Sequence, residues 1–263
     1  MIEVSIITPC FNASKTILNT LRSIENQTFK DFEVIIIDDF SSDNSLQIID
    51  IFISKDNRFK LYTRKKNYGV VSARNFGIKK AKGRFIAFLD SDDIWKNQFL
   101  DLSLRVHKSC KPGITHSPYY RFYFSKQNFF GQKYYPPKVV NYSNVLRKNY
   151  MGLSTVIVDT MKTGKFIFPD LRPEDYNLWL ILINKNIISK SIGSIQAYIR
   201  ISNLQRSSNK FKAFLRLRKF YFKNRNLNLM MKYYYLFSWV IENFKLRLAK
   251  RLILEKEQHC DIF

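Results

Sequence analysis

The stretch Phe85-Ile86-Ala87-Phe88-Leu89-Asp90-Ser91-Asp92-Asp93-Ile94-Trp95 decides how the chain is read, because an apolar run stops abruptly at three carboxylates within four residues. A short apolar run preceded by Gly83 predicts a buried strand. In open α/β sheets, ligands collect beyond the carboxyl ends of strands. Like charges at short range raise one another's pKa, so three acids at the mouth of a strand are costly unless a cation is held there. Oxygen ligands of this kind suit Mg or Mn, which one or two carboxylates hold while a substrate's phosphates complete the shell. A diphosphate-bearing substrate is the expectation. The alternative is an acidic helix N-terminus, with Asp92 or Asp93 capping a helix that buries Trp95, Phe99, Leu102 and Val106. The cluster alone leaves both open.

Upstream, strand-like and helix-like segments alternate, which predicts a mostly parallel sheet covered by helices. Residues 4–8, 32–37 and 59–63 read as strands. Helices are expected from the stripe Ile17, Leu18, Leu21 and Ile24, over 45–52, and from the loop Asn67-Tyr68-Gly69 through Lys80. Three βα units thus precede the acids. The second strand ends in Asp38-Asp39, followed by Phe40-Ser41-Ser42-Asp43. Ser42 or Asp43 reads most simply as a helix cap, whereas Asp38 and Asp39 could accept hydrogen bonds from a base or ribose. Arg74 and Asn75 follow the glycine-containing loop; a guanidinium there could neutralise a diphosphate or lie on a solvated helix face.

Downstream the pattern loosens. Pro112, Pro118, Pro136 and Pro137 interrupt a tyrosine- and phenylalanine-rich region whose pairing cannot be assigned. Residues 153–159 read as a strand, 174–183 as a helix with Leu178, Trp179, Leu182 and Ile183 inward, 189–200 as extended chain, and the sequence from Lys210 as helical.

The 263 residues suffice for a substantial core, and a hydrophobic fraction of 46% with 16% aromatics argues for a folded protein. The 44 basic and 21 acidic side chains are unevenly placed: residues 1–100 hold 15 and 12, leaving 29 and 9 for the rest. Such asymmetry points to an anionic partner for the second part. In 210–256 there are 13 basic residues against Glu242 and Glu255. Lys212, Arg216, Lys219 and Lys223 oppose Phe211, Phe214, Leu215, Leu217, Tyr221 and Phe222 at helical spacing, and residues 246–253 repeat the scheme. Basic, aromatic-rich amphipathic helices suit an anionic bilayer surface, and no recognised nucleic-acid motif favours the competing partner. Packing of the apolar faces on the rest of the chain is the plainer alternative. Cys10, Cys110 and Cys260 suggest neither a disulfide framework nor a zinc site, which fits a reducing cytoplasm. No signal peptide is visible and no spanning helix is expected, since the longest uncharged candidate is the nine residues 233–241.

Four ordered segments resemble the family 2 glycosyltransferases: Val4-Ser5-Ile6-Ile7-Thr8-Pro9-Cys10-Phe11-Asn12, the strand ending Asp38-Asp39 with Ser41 and Asp43, Asn67-Tyr68-Gly69 through Ala73-Arg74-Asn75, and Asp90-Ser91-Asp92-Asp93. The resemblance implies the GT-A fold, a Rossmann-like α/β sheet flanked by helices, together with a nucleotide-sugar donor and a divalent metal, Mn or Mg. By position it places Pro9 and Phe11 in a nucleoside pocket, Asp39 on uracil, and Asn67 and Arg74 near the base or diphosphate. Asp90 and Asp92 form the family's Asp-x-Asp pair, Asp92 on the metal and Asp90 on the ribose or metal. Glu174-Asp175, ahead of Trp179, occupies the place of a late acidic pair: Asp175 as general base, Glu174 orienting the acceptor or supporting the loop. Inverting transfer needs such a base to take the acceptor hydroxyl's proton. Two features depart from the family. Phe40 stands where glycine is usual, which predicts a differently shaped turn, and 198–202 lacks the usual histidine, which makes a metal ligand there unexpected; Arg200 and Arg206 read more simply as surface arginines than as groups that approach the diphosphate. His107, His116 and His259 fit no ligand spacing.

The expectation is therefore a catalytic unit over 1–209, with a nucleotide-sugar half (1–110) and an acceptor half (111–209), followed by a basic helical tail (210–263). It would move a single sugar from a UDP-hexose or UDP-N-acetylhexosamine to a glycan acceptor carried on a lipid, for bacterial surface polysaccharide (O-antigen, capsule or lipo-oligosaccharide). Its place would be peripheral, on the cytoplasmic face of the inner membrane. The competing reading is a non-catalytic basic protein that binds anionic lipid or nucleic acid and uses its acids only as caps.

Overall fold

The computed structural model describes residues 2–125, 128–183, 187–201, 210–223 and 227–253. The first half alternates as read: β1 (Val4–Cys10), α1 (Ile17–Glu25), β2 (Phe32–Asp38), α2 (Ser45–Ile53), β3 (Phe59–Thr63), α3 (Val70–Lys80) and β4 (Phe85–Phe88). There follow β5 (Ile94–Trp95), α4 (Phe99–Cys110), β6 (Ile114–His116), β7 (Tyr119–Ser125), β8 (Asn128–Tyr134), β9 (Val139–Val140), α5 (Tyr142–Arg147), β10 (Val156–Asp159) and α6 (Thr160–Thr163). The last elements are α7 (Glu174–Ile183), β11 (Ser189–Ser191), β12 (Ala197–Arg200), α8 (Lys210–Lys223) and α9 (Leu229–Ile253).

An eight-stranded sheet runs in the order β3-β2-β1-β4-β10-β6-β11-β9, and a smaller sheet runs β5-β12-β7-β8. The first four strands of the large sheet are mutually parallel; β10 enters antiparallel between β4 and β6. Successive residues of a strand face opposite sides, and the core divides accordingly. Ile6, Val34 and Ile36 pack with α1, α2 and α4 residues such as Leu21, Ile49 and Leu104. Ile7, Ile35 and Ile37 pack instead with Ala73 of α3, Leu178 and Trp179 of α7, and Tyr221 and Tyr235 of α8 and α9. Gly77 permits the close seat of α3, because a Cβ there would lie 2.6 Å from Ile7 Cγ2.

The chain reverses its direction of travel across the sheet between β1 and β4, the kind of point where α/β sheets open a crevice. The carboxyl ends of β1, β2 and β4 meet there. Helix-capping by Asp92 or Asp93 is not what forms. Ile94 and Trp95 pair with β12, and α4 starts only at Phe99, burying Phe99, Leu100, Ser103, Leu104 and His107 rather than Leu102 and Val106. The strand expected over 153–159 begins with a 3-10 turn at Leu153–Thr155, and the extended stretch 189–200 resolves into two strands in different sheets.

Candidate active site

At the end of β1, Pro9 and Cys10 are buried and Phe11 is 43% exposed. The β1–β2 register pairs Cys10 with Asp38, and the next N–H, that of Asp39, donates to Cys10 O at 2.8 Å. The Asp39 carboxylate, buried, accepts from the N–H groups of Tyr68 (3.1 Å) and Gly69 (2.7 Å), with Arg64 3.6 Å away. Asn67 Oδ1 accepts from the same Gly69 N–H. Asp39 and Asn67 therefore fix the loop that leads into α3. Asp38 turns inward and accepts from the Ser41 N–H, while Asp43 accepts from the N–H groups of Ser14 and Ser45, one residue ahead of the cap position of α2, which Asn44 rather than Ser42 or Asp43 occupies. Phe40 between them has φ 71° and is 55% exposed; the turn keeps a backbone that glycine would favour even though the side chain is aromatic.

Arg74 joins distant parts of the sequence. From its place on α3 it donates to Asp90 Oδ1 at 2.7 Å and to Glu174 Oε1 at 3.2 Å, and its guanidinium lies 5.4 Å from the Phe168 ring centre. Burial works against the charge, but Asp90, Glu174 and Asp175 outweigh it and hold the Arg74 pKa above its ordinary value. Its Nε is buried with no partner among the described residues. Neighbouring Asn75 exchanges two hydrogen bonds with the Phe168 backbone, securing the approach to α7.

The acids after β4 divide by environment. Burial and the nearby charge of Asp90 push Asp92 up to about 6, with Arg200 opposing. Asp93 is buried and accepts from Ser154 Oγ at 2.6 Å and from the Arg200 N–H at 2.8 Å, so it clamps β12 to this loop. Burial and the two neighbouring carboxylates hold its pKa well above the usual range. Arg200 also donates from Nε to Asp92 O at 3.3 Å. Ser154 links further: its hydroxyl accepts from the Asp90 N–H and its carbonyl accepts from Trp95 Nε1. No trio of His, Cys, Asp or Glu converges into a closed metal cage among the described residues. What Asp92 and Asp90 provide is a pair of hard oxygen donors whose mutual repulsion a divalent cation would relieve, which is the donor set that Mg or Mn shares with substrate phosphates.

Asp175, at the start of α7, accepts from Asn149 Nδ2 at 2.9 Å and from the Tyr176 N–H at 2.7 Å. Burial, and then the Glu174 charge, raise its pKa to about 6. Such a carboxylate is ionised at neutral pH yet basic enough to accept a proton. Thus Asp90, Arg74, Glu174 and Asp175 form one connected group, with Asp92 beside it, and Asp39 stands across the crevice under the Asn67 loop. Sequence reasoning did not find Ser154, Asn149 or the buried role of Asp93, since small polar residues carry no spacing signal. Arg206 lies outside the described residues.

The sequence pattern of the family described as Glycosyl transferase family 2 matches residues 5–164. An Escherichia coli UDP-Glc:alpha-D-GlcNAc-diphosphoundecaprenol beta-1,3-glucosyltransferase is 37% identical over 211 residues, covering 80% of this chain and 81% of its own length. The crystal structure of S. aureus TarS in complex with UDP-GlcNAc superposes with a TM-score of 0.70 at 21% identity, over 92% of this chain and 73% of that one. The Pyrobaculum calidifontis mannosyltransferase bound to GDP-Man and Mn2+ superposes with a TM-score of 0.63 at 15% identity, over 95% of this chain and 75% of that one. These structures share the mixed sheet and its covering helices, the GT-A architecture. The chain belongs to glycosyl transferase family 2 and is a glycosyltransferase.

Proposed function

We propose that this chain moves one sugar, with inversion, from a UDP-sugar to a sugar carried on a lipid diphosphate during surface polysaccharide synthesis. The observation that carries the reading is the Arg74 bridge, which brings Asp90 of the acidic motif and Glu174 of the late pair onto one guanidinium. Asp175 takes the proton of the acceptor hydroxyl as its oxygen bonds to the anomeric carbon, the bond from that carbon to the diphosphate breaks, and UDP leaves. Glu174, held by Arg74, keeps α7 and its base in register with the donor side. Asp39, Pro9, Phe11 and Asn67 frame the nucleoside. Asp92 and Asp90 would hold a divalent cation, Mn or Mg, which supplies positive charge for the departing diphosphate. Arg74 adds fixed positive charge on the same side. The names of the E. coli relative and the ligand of the TarS complex support a uridine donor and a diphosphate-linked acceptor.

A panel of nucleotide sugars, assayed for transfer and hydrolysis with Mn or Mg, tests this directly. Turnover with at least one uridine donor, abolished by a chelator, is expected; neither turnover nor binding with any uridine donor would sink the proposal.

The exposed face of the tail favours docking on an anionic membrane surface, through some of the residues the sequence singled out, Leu215, Lys219 and Phe222, and through others on α9. Leu217 and Tyr221 of α8 are buried in the core rather than turned outward. On α9, Met230 (82% exposed), Tyr233, Phe237 (67%) and Val240 recur at helical spacing on the outside, with Arg218 and Lys219 of α8 also exposed. No helix of the described residues is long and apolar enough to cross a membrane. Co-sedimentation with anionic vesicles should fall as salt rises and should fail for Phe237→Glu; undiminished binding of that variant would exclude α9 as the seat.

A further inference from the structure

Two cations beside Asp175 have no part in the transfer described above. Arg121 of β7 donates from Nη2 to the Tyr119 hydroxyl at 2.9 Å, and its guanidinium lies 5.3 Å from the ring centres of both Tyr119 and Tyr134. Tyr119 and Tyr134 are opposite each other in the β7–β8 register, and Arg121 lies two residues along, so all three project from one face of the small sheet. Lys148, just after α5, places Nζ 5.2 Å from the Tyr134 ring centre and 5.5 Å from that of Tyr150. The Tyr134 ring therefore lies near both cations. Among the described ion pairs, none gives Arg121 a carboxylate.

This cluster adjoins the base. Asn149, between Lys148 and Tyr150, is the residue that donates to Asp175. Burial raises the Tyr119 phenol pKa, Arg121 opposes the rise, and the charge of Asp175 adds to it, so the three groups lie within electrostatic reach. Half-buried cations resting on aromatic faces are held in position, and the planar guanidinium of Arg121 matches the oxygens of a phosphate ester while Lys148 adds a point charge. When an acceptor sugar offers its hydroxyl to Asp175, the diphosphate on its anomeric carbon lies one sugar ring away, a span that matches cations neighbouring Asn149 rather than touching the base itself.

We propose that Arg121 and Lys148, framed by Tyr119, Tyr134 and Tyr150, bind the diphosphate that joins the acceptor sugar to its lipid. The inference rests on the lipid-diphosphate acceptor named under Proposed function. A sugar-free probe separates the two: farnesyl diphosphate binding to the full chain, with the donor site saturated by UDP and Mg, against farnesol as the uncharged control. Binding of the diphosphate and not of farnesol is expected. Arg121→Gln and Lys148→Gln should each weaken it roughly tenfold or more, the scale of a charge-assisted hydrogen bond, with UDP affinity unchanged as proof of folding. Arg121→Lys, which keeps the charge but loses the fork, should fall between. Wild-type protein that ignores farnesyl diphosphate would overturn this site, while the acceptor reading would still stand or fall with transfer to a sugar-bearing lipid diphosphate. Equal binding of farnesol, or variants that bind the diphosphate as wild type does, would overturn the site alone.

Discussion

Replacing Asp175 by Asn tests the proposed base and predicts effects of opposite sign on activity and stability. Its pKa rises from the ordinary 3.8 to about 6, through burial first and the Glu174 charge second. That rise amounts to about 3 kcal/mol against the ionised form. Solvent still reaches the residue in part, so about 1–2 kcal/mol is the effect expected on the unfolding free energy. The sign follows from proton binding. Between 3.8 and about 6 the folded chain holds a proton that the unfolded chain has lost, so stability falls as pH rises through that window. Above about pH 6 the native protein carries the full cost of the charge, and Asp175→Asn should remove it. The variant should therefore unfold at a higher denaturant concentration than wild type at pH 8, and with little difference at pH 4. Its turnover should drop by roughly a hundred- to ten-thousand-fold, the range for loss of a general base, while UDP binding is retained. Wild-type kcat/KM should climb with pH through a midpoint near 6. Asn149→Ala, which removes a donor to the ionised carboxylate, should move that midpoint upward. Asn substitution without loss of turnover, or a rising limb unaffected by Asn149→Ala, would refute the assignment.

Three further outcomes follow from the site. Asp92→Asn should abolish metal-dependent turnover yet leave the thermal midpoint equal or higher at neutral pH, because burial and Asp90 already disfavour its charge; calorimetry beside a transfer assay reads both. Arg74→Ala strands Asp90 and Glu174 without their shared partner and should cost about 3–5 kcal/mol in urea unfolding, the scale for breaking a buried ion pair. Phe40→Gly should stabilise the chain by about 1 kcal/mol, since φ 71° strains any residue with a Cβ, and a lower unfolding midpoint would contradict this.

The first hundred residues were legible because their signals are local. Apolar runs of strand length, the stripe Ile17, Leu21 and Ile24, and glycines at 69 and 83 set each βα unit without long-range information. The region after Lys111 resisted for the opposite reason. β10 enters the sheet between β4 and β6 only through pairing across some 70 residues of chain, and β5 and β9 are two residues long, too short for periodicity to register. Asp90 and Asp92 stood out because acids clustered at a strand end are costly without a role, whereas Glu174 and Asp175, in the first turn of a helix, were placed only by the family resemblance. Their partners could not be named, for Arg74 reaches Asp90 sixteen residues on and Glu174 a hundred residues on, and only the fold brings them together. The tail shows a limit of amphipathic patterning: of the apolar residues on α8, Leu217 and Tyr221 face the core while Leu215 and Phe222 stay exposed, and the helix wheel is silent about which neighbour awaits each.

The clamp between Asp93 and the Arg200 N–H means that the two halves of the chain are not interchangeable parts. Donor-side recognition and acceptor-side recognition are often imagined as modules that could be shuffled to make new linkages. Here a graft that exchanged everything after residue 164 would have to set a strand with its N–H where that of Arg200 lies, or leave the buried Asp93 with Ser154 as its one remaining donor among those described. Chimaeras joined beyond Ile201, which leave that bond native, are the ones that should fold.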